Sequence, residues 1–133
     1  KLASDDTRAF GIALPGGVGI LATLDNPGEA LDLIPGEGSD DLKLLDVTIL
    51  HKVILEKLLG VQGLDSIGYT RDPQEAVDAA ANGAAASFLM NPPTVDDMRR
   101  IALGGEKMPQ KSTYYYPKIL SGLVLWSLRD FEA

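Results

Sequence analysis

The chain has 133 residues, 45% of them apolar and 23% charged, enough material for one conventional domain with its own core and far from disordered or fibrous compositions. It carries no cysteine and one histidine, which removes disulfides, thiolate nucleophiles, cysteine zinc sites and histidine clusters. A net charge of −7 opposes nucleic acid as a partner, since phosphate backbones need clustered Lys and Arg.

Arg8 to Leu14 and Val18 to Leu24 are β-rich runs around Pro15-Gly16-Gly17, a turn whose glycines supply positive φ, so the first element is a hairpin. Asp25-Asn26-Pro27-Gly28 breaks regular structure, and Pro35 to Asp41 reads as an exposed acidic loop, the most mobile stretch of the chain. Asp46 to Leu59 is helical, with Val47, Leu50, Ile54 and Leu58 on one side, Lys52 and Glu56 on the other, and Gly60 ending it. Ser66 to Thr70 is a short strand. Asp72-Pro73-Gln74-Glu75 then starts an alanine-rich helix that ends at Asn82-Gly83.

Ala85 to Met90 is a small buried strand, and the strand, helix, strand spacing implies a parallel β-α-β crossover. Thr94 caps a third helix that carries Asp96 and Asp97 in its first turn and Gly104-Gly105 at its end. Ser112 to Tyr116 and Leu123 to Leu128 supply the last strands. The expectation is a single α/β domain over residues 1–133, with α+β as the alternative, built on a mixed sheet of about six strands with an N-terminal hairpin, three helices and one parallel crossover. The longest apolar run, Ile119 to Leu128, is interrupted and falls short of the roughly 20 residues that cross a bilayer, so no membrane contact is expected and the protein is placed in the cytoplasm. The start at Lys1 rather than Met fits a C-terminal fragment of a larger protein.

The richest chemistry lies between Gly104 and Lys118, which hold cations, hydroxyls and three of the four tyrosines. As a strand, Lys111 to Pro117 sets Lys111, Thr113 and Tyr115 on one face and Ser112, Tyr114 and Tyr116 on the other. Lys111 and Thr113 could hold a phosphate or carboxylate, and Tyr115 could stack or donate a hydrogen bond. The alternative is an edge strand whose charges and tyrosines meet solvent. A P-loop is excluded, because Gln110 precedes Lys111 where glycine is required and the loop leaves a helix instead of entering one.

His51 sits at the centre of its helix's apolar arc, so it either hydrogen-bonds in the core or faces a cleft, where it could act as a catalytic general base. The acidic pairs Asp5-Asp6, Asp40-Asp41 and Asp96-Asp97 lack metal-ligand spacing and are read as solvated loop charge or helix-start charge, so no metal site is assigned. Asn91 follows the buried strand, where it could present an amide to a ligand or cap a turn.

Leu45 to His51 with Leu58-Leu59-Gly60, Phe88 to Pro92, and Met108 to Lys118 with Ser121-Gly122-Leu123-Val124 resemble the C-terminal part of the prokaryotic family called domain of unknown function 1015. The resemblance covers most of Asp40 to Leu128. Larger members carry an upstream Asp-Gly-His-His-Arg-type motif similar to the phosphate-handling motif of the ParB and free-serine-kinase group, and this chain does not contain it. The resemblance implies chemistry on serine or phosphoserine in a kinase-like enzyme, with this segment inactive alone and partnered by the missing N-terminal half. Matching positions suited to anion binding are His51, Asn91, Lys111, Ser112, Thr113, Tyr115 and Lys118, and the cofactor stays open. A rival reading is a noncatalytic scaffold or homodimerisation domain whose tyrosines and final strand form the contact.

Overall fold

The fold is taken from a computed structural model that describes residues 8–63, 65–114 and 117. Strands β1 (Arg8–Leu14) and β2 (Val18–Leu24) pair antiparallel from Arg8 with Leu24 to Leu14 with Val18. The turn between them turns back at Gly16, whose φ of 80° suits a residue without a Cβ. Helix α1 (Pro27–Leu33) follows at once, then α2 (Asp40–Lys43), α3 (Asp46–Ile49), a π-helical segment Leu50–Leu58, α4 (Pro73–Ala81), β3 (Ser87–Met90) and α5 (Val95–Leu103).

The described residues form a three-stranded antiparallel sheet in the order β2-β1-β3, with five helices, and not a mixed sheet of six strands with three helices. Two local causes account for most of the difference. Ser66 to Thr70 pairs with no strand, so the expected parallel crossover has no first member, and β3 pairs antiparallel with β1, Phe10 opposite Met90 and Ile12 opposite Phe88. Pro109 to Ser112 is a turn closed by the Ser112 N–H on the Pro109 carbonyl, with Lys111 at φ 62°, a left-handed conformation that no strand tolerates. The rest of that expected strand, Tyr115 and Tyr116, and the expected strand Leu123 to Leu128 lie outside the described residues.

The two additional helices come from segments read as loops. Asn26 caps α1 by accepting the Gly28 N–H at 3.0 Å, and Pro27 fills the first helical position, where a missing N–H costs nothing. Ser39 caps α2, which places Asp40 and Asp41 in a first turn instead of a loop. The acidic stretch is also anchored, since the Ser39 backbone N–H and hydroxyl both donate to the Glu106 carboxylate just beyond α5. That contact holds Glu106 below the ordinary carboxylate range. Arg100 adds a second tie, from α5 to Asp41 at 3.0 Å. At the other end of α5, Thr94 and Asp97 form a complete capping box.

The helix after Asp46 begins as α and widens to π, with the Leu59 N–H bonded to the Ile54 carbonyl five residues back. Wider winding changes which residues face inward. Leu50, Val53 and Leu55 are buried, whereas Leu58, placed on the core face by a 3.6-residue period, is 71% exposed. The main core gathers Phe10 from β1, Ala30 from α1, Ile34, and Ile49, Leu50, Val53 and Leu55, with Phe88 packed against it. A second cluster of Leu45, Val47 and Ile101 seats α5, and Met90 touches both.

The two cores meet near an ion pair. Arg8 at the start of β1 donates to Asp46 at 2.8 Å, and the Asp46 side chain is only 11% exposed. Burial pushes the Asp46 carboxyl above its ordinary value, opposed by the Arg8 hydrogen bond and charge and by a backbone hydrogen bond from Asn91. Because the folded state then holds this proton more tightly than the unfolded chain, the contribution of Asp46 to stability falls as pH rises above about 4. Arg8→Met should cost about 2 kcal/mol at neutral pH by leaving a buried carboxylate without its charged donor. It should also steepen that fall, and urea denaturation at pH 4 and pH 7 reads both effects.

Candidate functional site

The loop that enters α4 and the loop that follows α5 meet to form an open cleft of about 590 Å³. Tyr69, Thr70, Arg71, Asp72 and Glu75 line one side, and Lys111, Thr113 and Tyr114 the other. The first side is rigid because it is the N-terminal cap of α4. Asp72 accepts the Gln74 N–H at 2.8 Å and the Glu75 N–H at 3.4 Å, and the Thr70 hydroxyl donates to Glu75 at 2.5 Å while accepting the Asp72 N–H. The second side is set by the turn at Pro109 to Ser112. Across the cleft the Arg71 guanidinium lies 4.6 Å from the Tyr114 ring centre, a cation–π contact that holds the sides together.

Asp72 is engaged in capping and Glu75 accepts the Thr70 hydroxyl, whereas neither Arg71 nor Lys111 forms an ion pair with a described residue. The lining therefore offers two cations, the Thr113 hydroxyl and two tyrosine rings that are 47% and 60% exposed at Tyr69 and Tyr114. Such a surface can neutralise an anionic group and stack on a planar one. Among the described residues the lining contains no imidazole.

The turn separates the hydroxyls. Ser112 is buried and donates its hydroxyl to the Pro109 carbonyl at 2.6 Å, which turns it away from any ligand, while Lys111 and Thr113 reach the lining. His51 is half-buried behind Tyr69, the two rings stacked at 6.3 Å and 22°. Tyr69 lines the cleft and the imidazole does not. Asn91 is occupied elsewhere, its backbone bonded to Asp46. Tyr115 and Lys118 lie outside the described residues.

Sequence reasoning missed Arg71, Tyr69 and the place of Tyr114 in the lining of the cleft. Tyr69 fell in a segment read as a strand, Arg71 lay between that strand and the helix start at Asp72, and alternation put Tyr114 on the face opposite Lys111. A usable signal was the Asp72-Pro73 cap, which fixes the preceding residues at the mouth of a helix. Among the described residues no group of three or more His, Asp or Glu side chains is arranged to hold a metal, and no helix is long and apolar enough to cross a membrane. No family model, curated protein or solved structure matches the chain.

Burial pushes the His51 imidazole below its ordinary value near 6.5, with Glu56 opposing and Lys52 reinforcing the shift. The unfolded chain then binds the proton more tightly. The stabilising share of neutral His51 is complete above about pH 6.5 and is lost as pH falls through the depressed folded value. Thermal unfolding should show this acid-side loss of Tm, and His51→Gln should remove that part of the slope.

Proposed function

We propose that the cleft between Tyr69 and Tyr114 binds a small metabolite carrying a phosphate or carboxylate group. One observation carries the reading: Lys111 and Arg71, from loops distant in sequence, line one depression without ion-pair partners among the described residues, while Asp72 caps α4 and Glu75 accepts the Thr70 hydroxyl. Lys111 and Arg71 neutralise the anion, Thr113 donates a hydrogen bond, and the tyrosine rings cover the rest of the ligand. The resemblance to domain of unknown function 1015 supports serine or phosphoserine as the ligand to test first, in a phosphotransfer whose reacting groups another part of a larger protein would supply.

The conformation of Lys111 provides a clean test. A non-glycine residue at φ 62° costs roughly 1 kcal/mol, so Lys111→Gly should hold or raise stability while removing the cation. Differential scanning fluorimetry with phosphoserine, serine and inorganic phosphate should show a ligand-dependent rise in Tm for the natural chain. The rise should be lost in Lys111→Gly and weakened at least about tenfold in apparent affinity in Arg71→Ala, since a charged hydrogen bond contributes about 1.5 kcal/mol or more. Equal shifts in all three proteins would reject the cleft as the anion site.

A further inference from the structure

We infer that the outer edge of β2 is a homodimer interface, where two copies pair β2 with β2 antiparallel about a two-fold axis through Leu21 and join their sheets into one. Among the described residues no strand pairs with that edge, because the order is β2-β1-β3. An open edge offers a row of unpaired N–H and C=O groups, and proteins that stay monomeric blunt such edges with charge, proline, bulges or brevity. The opposite edge shows two of these devices, since β3 has four residues and Pro92-Pro93 follow closely. β2 shows none: it has seven residues, Val-Gly-Ile-Leu-Ala-Thr-Leu, with no charge or proline and an unbroken register against β1.

The same strand is apolar where it is open. Val18, Ile20 and Leu21 are 53%, 47% and 59% exposed. On the α4 side of the sheet an apolar groove of about 470 Å³ runs between β2 and Val77 and Ala81 of α4, with space left open where Gly19 has no side chain.

A second copy is the occupant that fits. Two chains of net charge −7 repel one another, and β2 carries no charge along its whole length, so two copies paired there set no like charges against each other. Centred on Leu21, the symmetric pairing sets Val18 opposite Leu24, Gly19 opposite Thr23 and Ile20 opposite Ala22. Each bulky residue then meets one it can pack against, and no charges oppose. On the α4 face Leu21 of each copy lies against its symmetry mate at the mouth of the groove.

The cleft shares no residue with this surface, so the two readings fail independently. Light scattering on the full chain over a concentration series should give a dimer. Leu21→Lys and Val18→Lys replace exposed side chains and should preserve near-UV circular dichroism while raising the dimer dissociation constant about tenfold or more. Because the natural chain has no cysteine, Leu21→Cys under mild oxidation should give a covalent dimer, whereas Gly19→Cys, set opposite Thr23, should not. A chain that stays monomeric at high micromolar concentration overturns the interface, including the case in which other residues of the same chain cover β2. A dimer that Leu21→Lys leaves intact, or cross-linking equal in both cysteine variants, overturns it as well.

Discussion

The carboxylate of Asp46 is the point on which the arrangement of elements depends. It opens α3, receives the Arg8 guanidinium from the first residue of β1 and accepts a backbone hydrogen bond from Asn91, just past β3. Three elements distant in sequence are thereby fixed around one partly desolvated group. Its raised proton affinity shows that burial outweighs the favourable partners. The pair therefore specifies how the sheet meets the helices more than it adds net stability, as expected when desolvation and Coulomb attraction nearly cancel. Asp97 lies close enough to repel Asp46, and is itself kept low because the Thr94 cap and Arg100 outweigh its own desolvation.

What could be read in advance follows from the range of the interaction involved. The hairpin and the helices at Asp72 and Thr94 are written in adjacent residues: turn glycines, an Asp-Pro start, a capping box. The helix at Asn26 carries the same kind of signal, but Asn-Pro-Gly is also turn chemistry, and only the packing of Ala30 and Ile34 into the core decides between them. The partner of β3 could not be read at all. Spacing favoured a crossover, but the choice rests on Phe88 and Met90 burying beside Phe10, and no local pattern encodes that.

The cleft divides along the same line. Lys111 and Thr113 facing together with Ser112 turned away is a period-two relation that a turn preserves as well as a strand would. Arg71 and Tyr69 enter through a cation–π contact and a ring stack that span the chain, and neither residue stands out from its neighbours. Placing the imidazole at the centre of the apolar arc assumed an α-helical period. The segment is π-wound, and His51 lies at its edge, against an aromatic ring.

That wider coil has a consequence for how the protein tolerates change in length. Each hydrogen-bonded ring between Leu50 and Leu58 encloses one residue more than an α-helical ring. Deleting a single exposed position there, such as Glu56, would let the backbone rewind to the common period without leaving a gap in the ladder. The cost would fall on orientation: Leu55 and the residues after it would swing around the axis relative to Phe10 and Ala30, and the inward face would be redrawn from that point on. Natural variation in this region should therefore favour substitutions over indels, although the segment looks like an ordinary surface helix with a lysine–glutamate pair on its outer side.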